Sequence, residues 1–517
     1  MNNQYLSSVY RNLPRLLALF DTDVSSTTCG LGDRYHWAWG LIDFSNGTFQ
    51  GAAHGLARLV DSDLLPEYLS EEATLDLIDK IFIGTEHIVR TDGSLEEAFP
   101  YEGSYCVTAL VAYDLLTAIQ LLGNRLTAEK ITKYIRIICP LIKYLIKADE
   151  NHAFISNHLA TSVAALVKWT KLTGLEGEKH GLEILDSILE KQSSEGWYLE
   201  YEGADPGYQT LCTYYLADAL ETTNNSKLKE SLIKSLDFLS FFIHPDASIG
   251  GEYGSRNTRF YYPGGIAYLM RFSSIAVAIS NYMSKGVGEF SFVGLDAIDE
   301  PNLIPMFNSF CWAASLYSKE QQSINDDEVI LPCHKTCVDK IFPEAGLFVL
   351  GRERGYKIIS IHKGGVVFDF RKNGSYVVNT GVALKLSSGL IYTNQVYNSK
   401  NEYLVNENEI TIRSSLYPAA KRKFKPYQMI VLRVLNITLM RNYYIRELVK
   451  KILVKILITR KDKLIGFVDR RISFNNDNDI LDEIITDKKY ELINTNRFVP
   501  IHMASKGYWQ KQDTEIK

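Results

Sequence analysis

Five short polar patches recur through the first half of this 517-residue chain at intervals of about fifty residues, and each opens an apolar helix. They are NGTFQGAAHGLARL (from Asn46), YEGSYCVTALVAYDLL (from Tyr101), SNHLATSVAALVKW (from Ser156), YEGADPGYQTLCTYYLADAL (from Tyr201) and YGSRNTRFYYPGGIAYLMRF (from Tyr253). A period of that length fits one antiparallel helix pair plus its two connections. Other helical stretches lie between the patches, at 71–90, 126–148, 176–192 and 227–243. Plain turns therefore alternate with connections carrying Asn, His, Tyr, Arg, Glu and Gly. A ring of helix pairs brings the decorated connections to one face, which is how a helical toroid builds a cleft.

The period changes further along. Residues 1–295 read as helical, and 296–340, with Pro301, Pro305 and Pro332, as a linker containing one helix. From 341 to 517 short β-rich runs dominate: GLFVLGRE, YKIISIHK, GVVFDFRK, SYVVNTGV and LIYTNQVY, joined by the hairpin-like turns RERGYK, HKGGVV and RKNGSY. The expected fold is α+β and multidomain, an N-terminal incomplete (α/α) toroid followed by a C-terminal antiparallel β-sandwich. A basic amphipathic helical segment at 427–459 interrupts the strands.

Charge is unevenly spread. Residues 421–471 hold fifteen Lys/Arg against three Asp/Glu, a local +12, while the whole chain carries −5. A local anionic partner suits that asymmetry. Apolar residues within 427–459 suit a membrane surface, against the plainer reading of a helix packed on the sandwich with its lysines in water. The segment has no nucleic-acid-binding pattern. The seven cysteines are scattered, which argues against a disulfide-built secreted protein. CHKTC at 333–337 is at most half of a zinc site, so no cofactor is expected and a structural divalent metal has no support. The first twenty residues lack a signal-peptide pattern, so the expected location is the cytoplasm, peripheral to the inner membrane face if 427–459 binds there.

A toroid followed by a β-sandwich, with Asn-His opening one helix and a Gly-Tyr patch opening the next, resembles the heparinase II/III-like polysaccharide lyases. The likeness rests on SNHLATSVAALVKW, EGWYLEYEGADPGYQ, GGEYGSRN and the strand run 345–394. It implies a lyase that eliminates glycosidic bonds in an acidic, uronate-containing polysaccharide, with relatives that serve in building bacterial surface polysaccharides such as capsule or O-antigen. In that chemistry a uronate carboxylate is neutralised, a base removes the carbon-5 proton and an acid protonates the leaving oxygen. The resemblance gives Asn157 the first role, with His158 as base or its support and Tyr208 as acid or base. Each also has a structural reading: Asn157 as a helix N-cap, His158 as a helix-start histidine, Tyr208 as turn packing.

Arg256 and Arg259 can hold an acidic sugar by bidentate contacts. Tyr101, Glu102 and Tyr253, from the patches, and His36, Trp37 and Trp39, from GDRYHWAWGLIDF, complete the expected substrate wall. Three alternatives stay open: a uronate 5-epimerase using nearly the same groups, a non-catalytic glycan-binding or assembly protein, and a toroid glycoside hydrolase. The last would take two acids from Asp33, Glu96, Glu97, Glu102, Glu200, Glu202, Asp205 and Glu252. A histidine on the sandwich, His362, could also reach the cleft.

Overall fold

The computed structural model describes residues 3–40, 42–148, 154–289, 291–320, 329–419, 425–457, 464–474, 480–493 and 507–509, without the side chains of 288, 318–320, 443 and 453–457. The helices are α1 (Gln4–Leu17), α2 (Arg34–Trp37), α3 (Ala52–Asp61), α4 (Glu71–Ile88), α5 (Tyr105–Leu122), α6 (Ala128–Lys147), α7 (Ser156–Thr173) and α8 (Glu178–Glu190). They continue with α9 (Pro206–Thr223), α10 (Ser226–Ser240), α11 (Pro263–Leu269), α12 (Ser274–Glu289) and α13 (Glu300–Glu320). Helices α3, α5, α7, α9, α11 and α13 pack each on the next, and α13 packs back on α3. Around this inner ring α4, α6, α8, α10, α12 and α1 each back one inner helix.

The two layers differ in sequence for a physical reason. Inner helices such as α5 and α9 are buried along nearly their whole length, so they read as apolar on every side. The outer helix α6 buries only one stripe, Tyr134, Ile137, Ile138, Leu141, Ile142 and Leu145, and turns its lysines outward. Starts are fixed by side-chain caps: Ser104 accepts from the Val107 N–H, Asp205 from that of Tyr208.

Helix α13, which the sequence reading assigns to the linker, is the sixth member of the ring. Asn308 accepts from the Gly55 N–H and donates to the Gly51 carbonyl, both at 2.9 Å. The helical domain therefore runs to Glu320, and α13 occupies the gap an incomplete toroid would leave. Pro301 sits in its first turn, where a missing N–H costs little.

Strands β1 (Val338–Phe342), β2 (Leu347–Arg352), β3 (Gly355–Ser360), β4 (Val366–Arg371) and β5 (Tyr376–Asn379) form an antiparallel sheet in sequence order. Both its faces are buried. Val349, Ile358, Val366, Phe368 and Phe370 pack on Trp197, Phe238, Phe242 and Tyr253 of the toroid. The alternate residues Phe348, Leu350, Ile359 and Val367 pack on Ile410, Ile412, Ile472 and Phe474. Those belong to β9 (Glu409–Ser415), β11 (Gly466–Ser473) and its end, in a sheet ordered β12-β11-β9-β8, with β8 (Glu402–Val405) and β12 (Ile480–Thr486). A smaller sheet joins β10 (Tyr417–Pro418), β7 (Ile391–Thr393), β6 (Ala383–Leu386) and β13 (Tyr490–Leu492).

The basic segment forms two helices, α14 (Pro426–Ile437) and α15 (Tyr443–Leu457); its last residues, 458–459, lie outside the described residues. The hairpin is anchored on the toroid, not packed on the sandwich as the plainer reading expects. Arg433 pairs with Asp43 and Arg446 with Asp92, each at 2.9 Å, and Lys450 donates to the Gly103 carbonyl.

Candidate active site

The decorated connections are tied to one another across the mouth of the ring. The Gly47 N–H donates to the Glu96 carbonyl, the Ser156 N–H to that of Leu199, and the Ser255 N–H to that of Ala204. One end of the toroid thus carries the polar residues, because all the inner helices start there.

At the starts of α7 and α9 a buried carboxylate organises the site. Glu200 is fully buried and accepts from both the backbone N–H and the side-chain amide of Asn157, at 3.0 and 2.8 Å. Burial raises its pKa to about 8, against the opposing pull of nearby His158 and of the Asn157 donors. Asn157 lies inside the first turn of α7, behind an N-cap at Ile155, so it does not cap the helix. His158, the next residue, is half-buried beside Glu200.

Tyr208 stands in the first turn of α9, edge-on to Phe260 at 6.0 Å and half-buried. Burial pushes its phenol well above the usual range, and the nearby Arg256 pulls the other way. The phenol therefore keeps its proton at neutral pH. The Arg256 guanidinium lies 4.3 Å from the centre of the Tyr201 ring, and its backbone N–H donates to Asp205. Asp205 also receives the N–H of Tyr208 and the hydroxyl of Thr258, so one buried acid joins the start of α9 to the loop before α11.

The β-domain closes one side of this group. A Cβ on Gly203 would lie 2.1 Å from the Tyr397 hydroxyl, so only glycine allows that approach. Tyr397 bonds His362 at 3.0 Å, and burial lowers the His362 pKa to about 4, leaving it neutral.

Asn157 and His158 gather at Glu200, and Tyr208 and Arg256 at the neighbouring Asp205; the other expected residues do not join them. Tyr253 is buried among Phe242 and Phe368, with its hydroxyl on His244, so it is a packing residue of the toroid–sheet interface and not a substrate contact. Arg259 pairs with Glu252 at 2.6 Å and faces Phe368 in the same interface. Tyr101 lies between Arg90 and Arg441, and Glu102 is turned inward onto the N–H groups of Glu97 and Ala98. His36 and Trp37 are held by the Ile42 and Leu19 carbonyls, while Trp39 is exposed. Glu200, Tyr201 and Tyr397 had no assigned place in a lyase site from sequence; the one signal there, the repeated Tyr-Glu-Gly, flags only Tyr201. His502 lies outside the described residues.

A hydrolytic acid pair finds little support. Asp33 caps α2 and receives the Asn46 N–H, Glu96 pairs with Arg90, Glu97 receives the Ser104 hydroxyl, and Glu252 holds Arg259. Among the described residues no group of three or more His, Cys, Asp or Glu is placed to hold a metal.

No protein-family profile matches the chain, and no curated protein does. Solved structures similar to it include cellobiose 2-epimerase from Bacillus thermoamylovorans, at 14% identity and a TM-score of 0.44, covering 61% of this chain and 100% of that one. A Paenibacillus xanthan lyase is similar at 11% identity and a TM-score of 0.45, over 80% of this chain and 45% of that chain, so this chain spans under half its length. Heparinase III is similar at 11% identity and 0.42, over 80% and 74%. The toroid followed by antiparallel sheets is the architecture of this chain.

Proposed function

We propose that this chain is an enzyme acting on an acidic, uronate-containing polysaccharide by elimination, with His158, Tyr208 and Arg256 at its reacting centre. The observation that carries the reading is the meeting of a half-buried imidazole, a protonated phenol and a guanidinium where α7, α9 and the loop before α11 begin. Arg256 takes the sugar carboxylate, whose neutralisation makes the carbon-5 proton acidic. His158 removes that proton, the electron pair forms the carbon-4–carbon-5 double bond, and the bond to the 4-oxygen breaks. Tyr208 supplies the proton to the departing oxygen. Asn157, given the carboxylate by family resemblance, instead spends its amide on Glu200 and so acts by positioning His158.

Epimerisation at carbon 5 remains the second reading, since Tyr397 brings a second phenol, from the β-domain, against Gly203. A panel of uronate polysaccharides separates the readings. Elimination leaves an ultraviolet-absorbing unsaturated end; epimerisation incorporates deuterium from heavy water at carbon 5 and cuts nothing. A wild-type protein that does neither on any uronate polymer would sink both. We further place the protein, as a proposal, in bacterial surface-polysaccharide assembly inside the cell. Assaying capsule-type polymers within that panel tests this, and activity confined to other polymers would refute it.

A further inference from the structure

Helix α14 is apolar nearly all the way round. Tyr427, Ile430, Val431, Val434 and Ile437 recur at helical spacing, and each is more than half exposed. The less exposed residues of the helix are Leu432, Arg433 and Leu435, all half-buried, with Arg433 paired with Asp43, and Asn436, which is buried. The helix therefore covers Leu432 and Leu435 beside Arg433 and Asn436, and leaves a second apolar row facing outward. Helix α15 continues the surface with Tyr444, Leu448 and Ile452. An apolar stripe of this size on a soluble surface marks a contact site.

The charge around the stripe identifies what covers it. Helix α14 contains no Asp or Glu, and the one acid of α15, Glu447, pairs with Lys450. Lys425, Arg441 and Lys451 are exposed beside the apolar row. A second copy of this chain would bring the same cations against them. Apolar side chains ringed by cations, with tyrosines within the row, suit the interface of an anionic bilayer.

We infer that the α14–α15 hairpin docks the protein on an anionic lipid surface, its apolar row entering the headgroup region and its lysines and arginines meeting lipid phosphates. The inference stands on this surface alone and does not depend on the proposed reaction. The hairpin is fixed over the first and second decorated connections, through Asp43 and Asp92, so docking holds the site-bearing end of the toroid towards the lipid.

Flotation of the full chain with phosphatidylglycerol vesicles tests it, with phosphatidylcholine vesicles as control. The expected result is co-flotation with phosphatidylglycerol only, weakened as salt shortens the Debye length from about 10 Å at 0.1 M. An Ile430→Ser/Val434→Ser double variant should lose about tenfold in partitioning with an unchanged melting curve. Absence of flotation on phosphatidylglycerol at low salt, equal flotation on both lipids, or undiminished flotation of the variant would each overturn the inference. So would a wild-type dimer by light scattering that the double variant dissolves, because the occupant would then be a second copy.

Discussion

The chain makes the same turn twice. Tyr101-Glu102-Gly103 and Tyr201-Glu202-Gly203 each hold their tyrosine at φ +60°, a conformation uncommon for a side chain of that size. Each tyrosine has an arginine across its ring, Arg90 at 4.5 Å in the first and Arg256 at 4.3 Å in the second. The surroundings then diverge. In the first turn Glu102 is buried, and α15 covers it, with Arg446 against Gly103 and Lys450 on its carbonyl. In the second Glu202 is exposed, the β-domain's Tyr397 touches Gly203, and His158 and Tyr208 stay half-buried beside it. One backbone unit therefore serves as a docking post in one place and as a site wall in the other. What decides is which distant segment lands on it.

The largest expected effect separates the two turns by activity. Tyr208→Phe should lower turnover on the identified polymer by at least about a hundredfold. Tyr101→Phe, at the covered turn, should stay within about twofold, measured as kcat/KM with matched melting curves. Full activity in Tyr208→Phe would falsify the site assignment.

Next in size are the glycines. Gly203→Ala drives a methyl into Tyr397 and should cost about 1–3 kcal/mol, read from urea midpoints. Gly103→Ala meets the more yielding Arg446 guanidinium but must adopt φ +56°, for about 1–2 kcal/mol. Equal losses of activity in both would erase the distinction between the turns.

Titration sharpens the comparison from another side. Burial raises both Glu102 and Glu200 to about 8, with the Glu97 charge adding to Glu102. Their folded-state values lie above the unfolded one, so the stability they confer is complete below about pH 4.3 and is lost as pH rises through about 8. Glu102→Gln and Glu200→Gln should each flatten the decline of the urea midpoint between pH 5 and 8. The full shift corresponds to at most about 5 kcal/mol for each. Unchanged slopes would mean that neither carboxyl keeps its proton.

The smallest effect belongs to the clasp. Arg446→Met breaks the pair with Asp92, whose side chain is 41% exposed, so about 1 kcal/mol is expected. Limited proteolysis within 438–442 should quicken, while a catalytic effect as large as that of Tyr208→Phe would place the covered turn in the site.

Local patterns were readable and long-range docking was not. The toroid showed in sequence because its period is local, and so did β2 to β4, as short β-branched and aromatic runs parted by turn residues. Helix α13 read as linker because Pro301 and Pro305 look like breaks, and nothing nearby announces that Asn308 will meet Gly55. The hairpin's seat was hidden for the same reason, since Arg446 and Asp92 lie 354 residues apart. In the site, Asn157 and His158 stood out as an Asn-His helix start. Glu200, which holds Asn157, looked like one carboxylate among eight.

Closure of the ring by α13 sets a schedule for the nascent chain. Gly55 must wait 253 residues for Asn308, about 13 to 50 s at ribosomal rates of 5–20 residues per second. During that interval Leu56, Leu59 and Val60 of α3, and Tyr5, Val9 and Leu13 of α1, lack one of the neighbours that bury them in the finished protein. Until then those apolar side chains have less of their native cover than in the finished ring. Because Asn3 ends up bonded to Ala314, a circular permutant that translates α13 ahead of α1 could keep the same walls while shortening the wait.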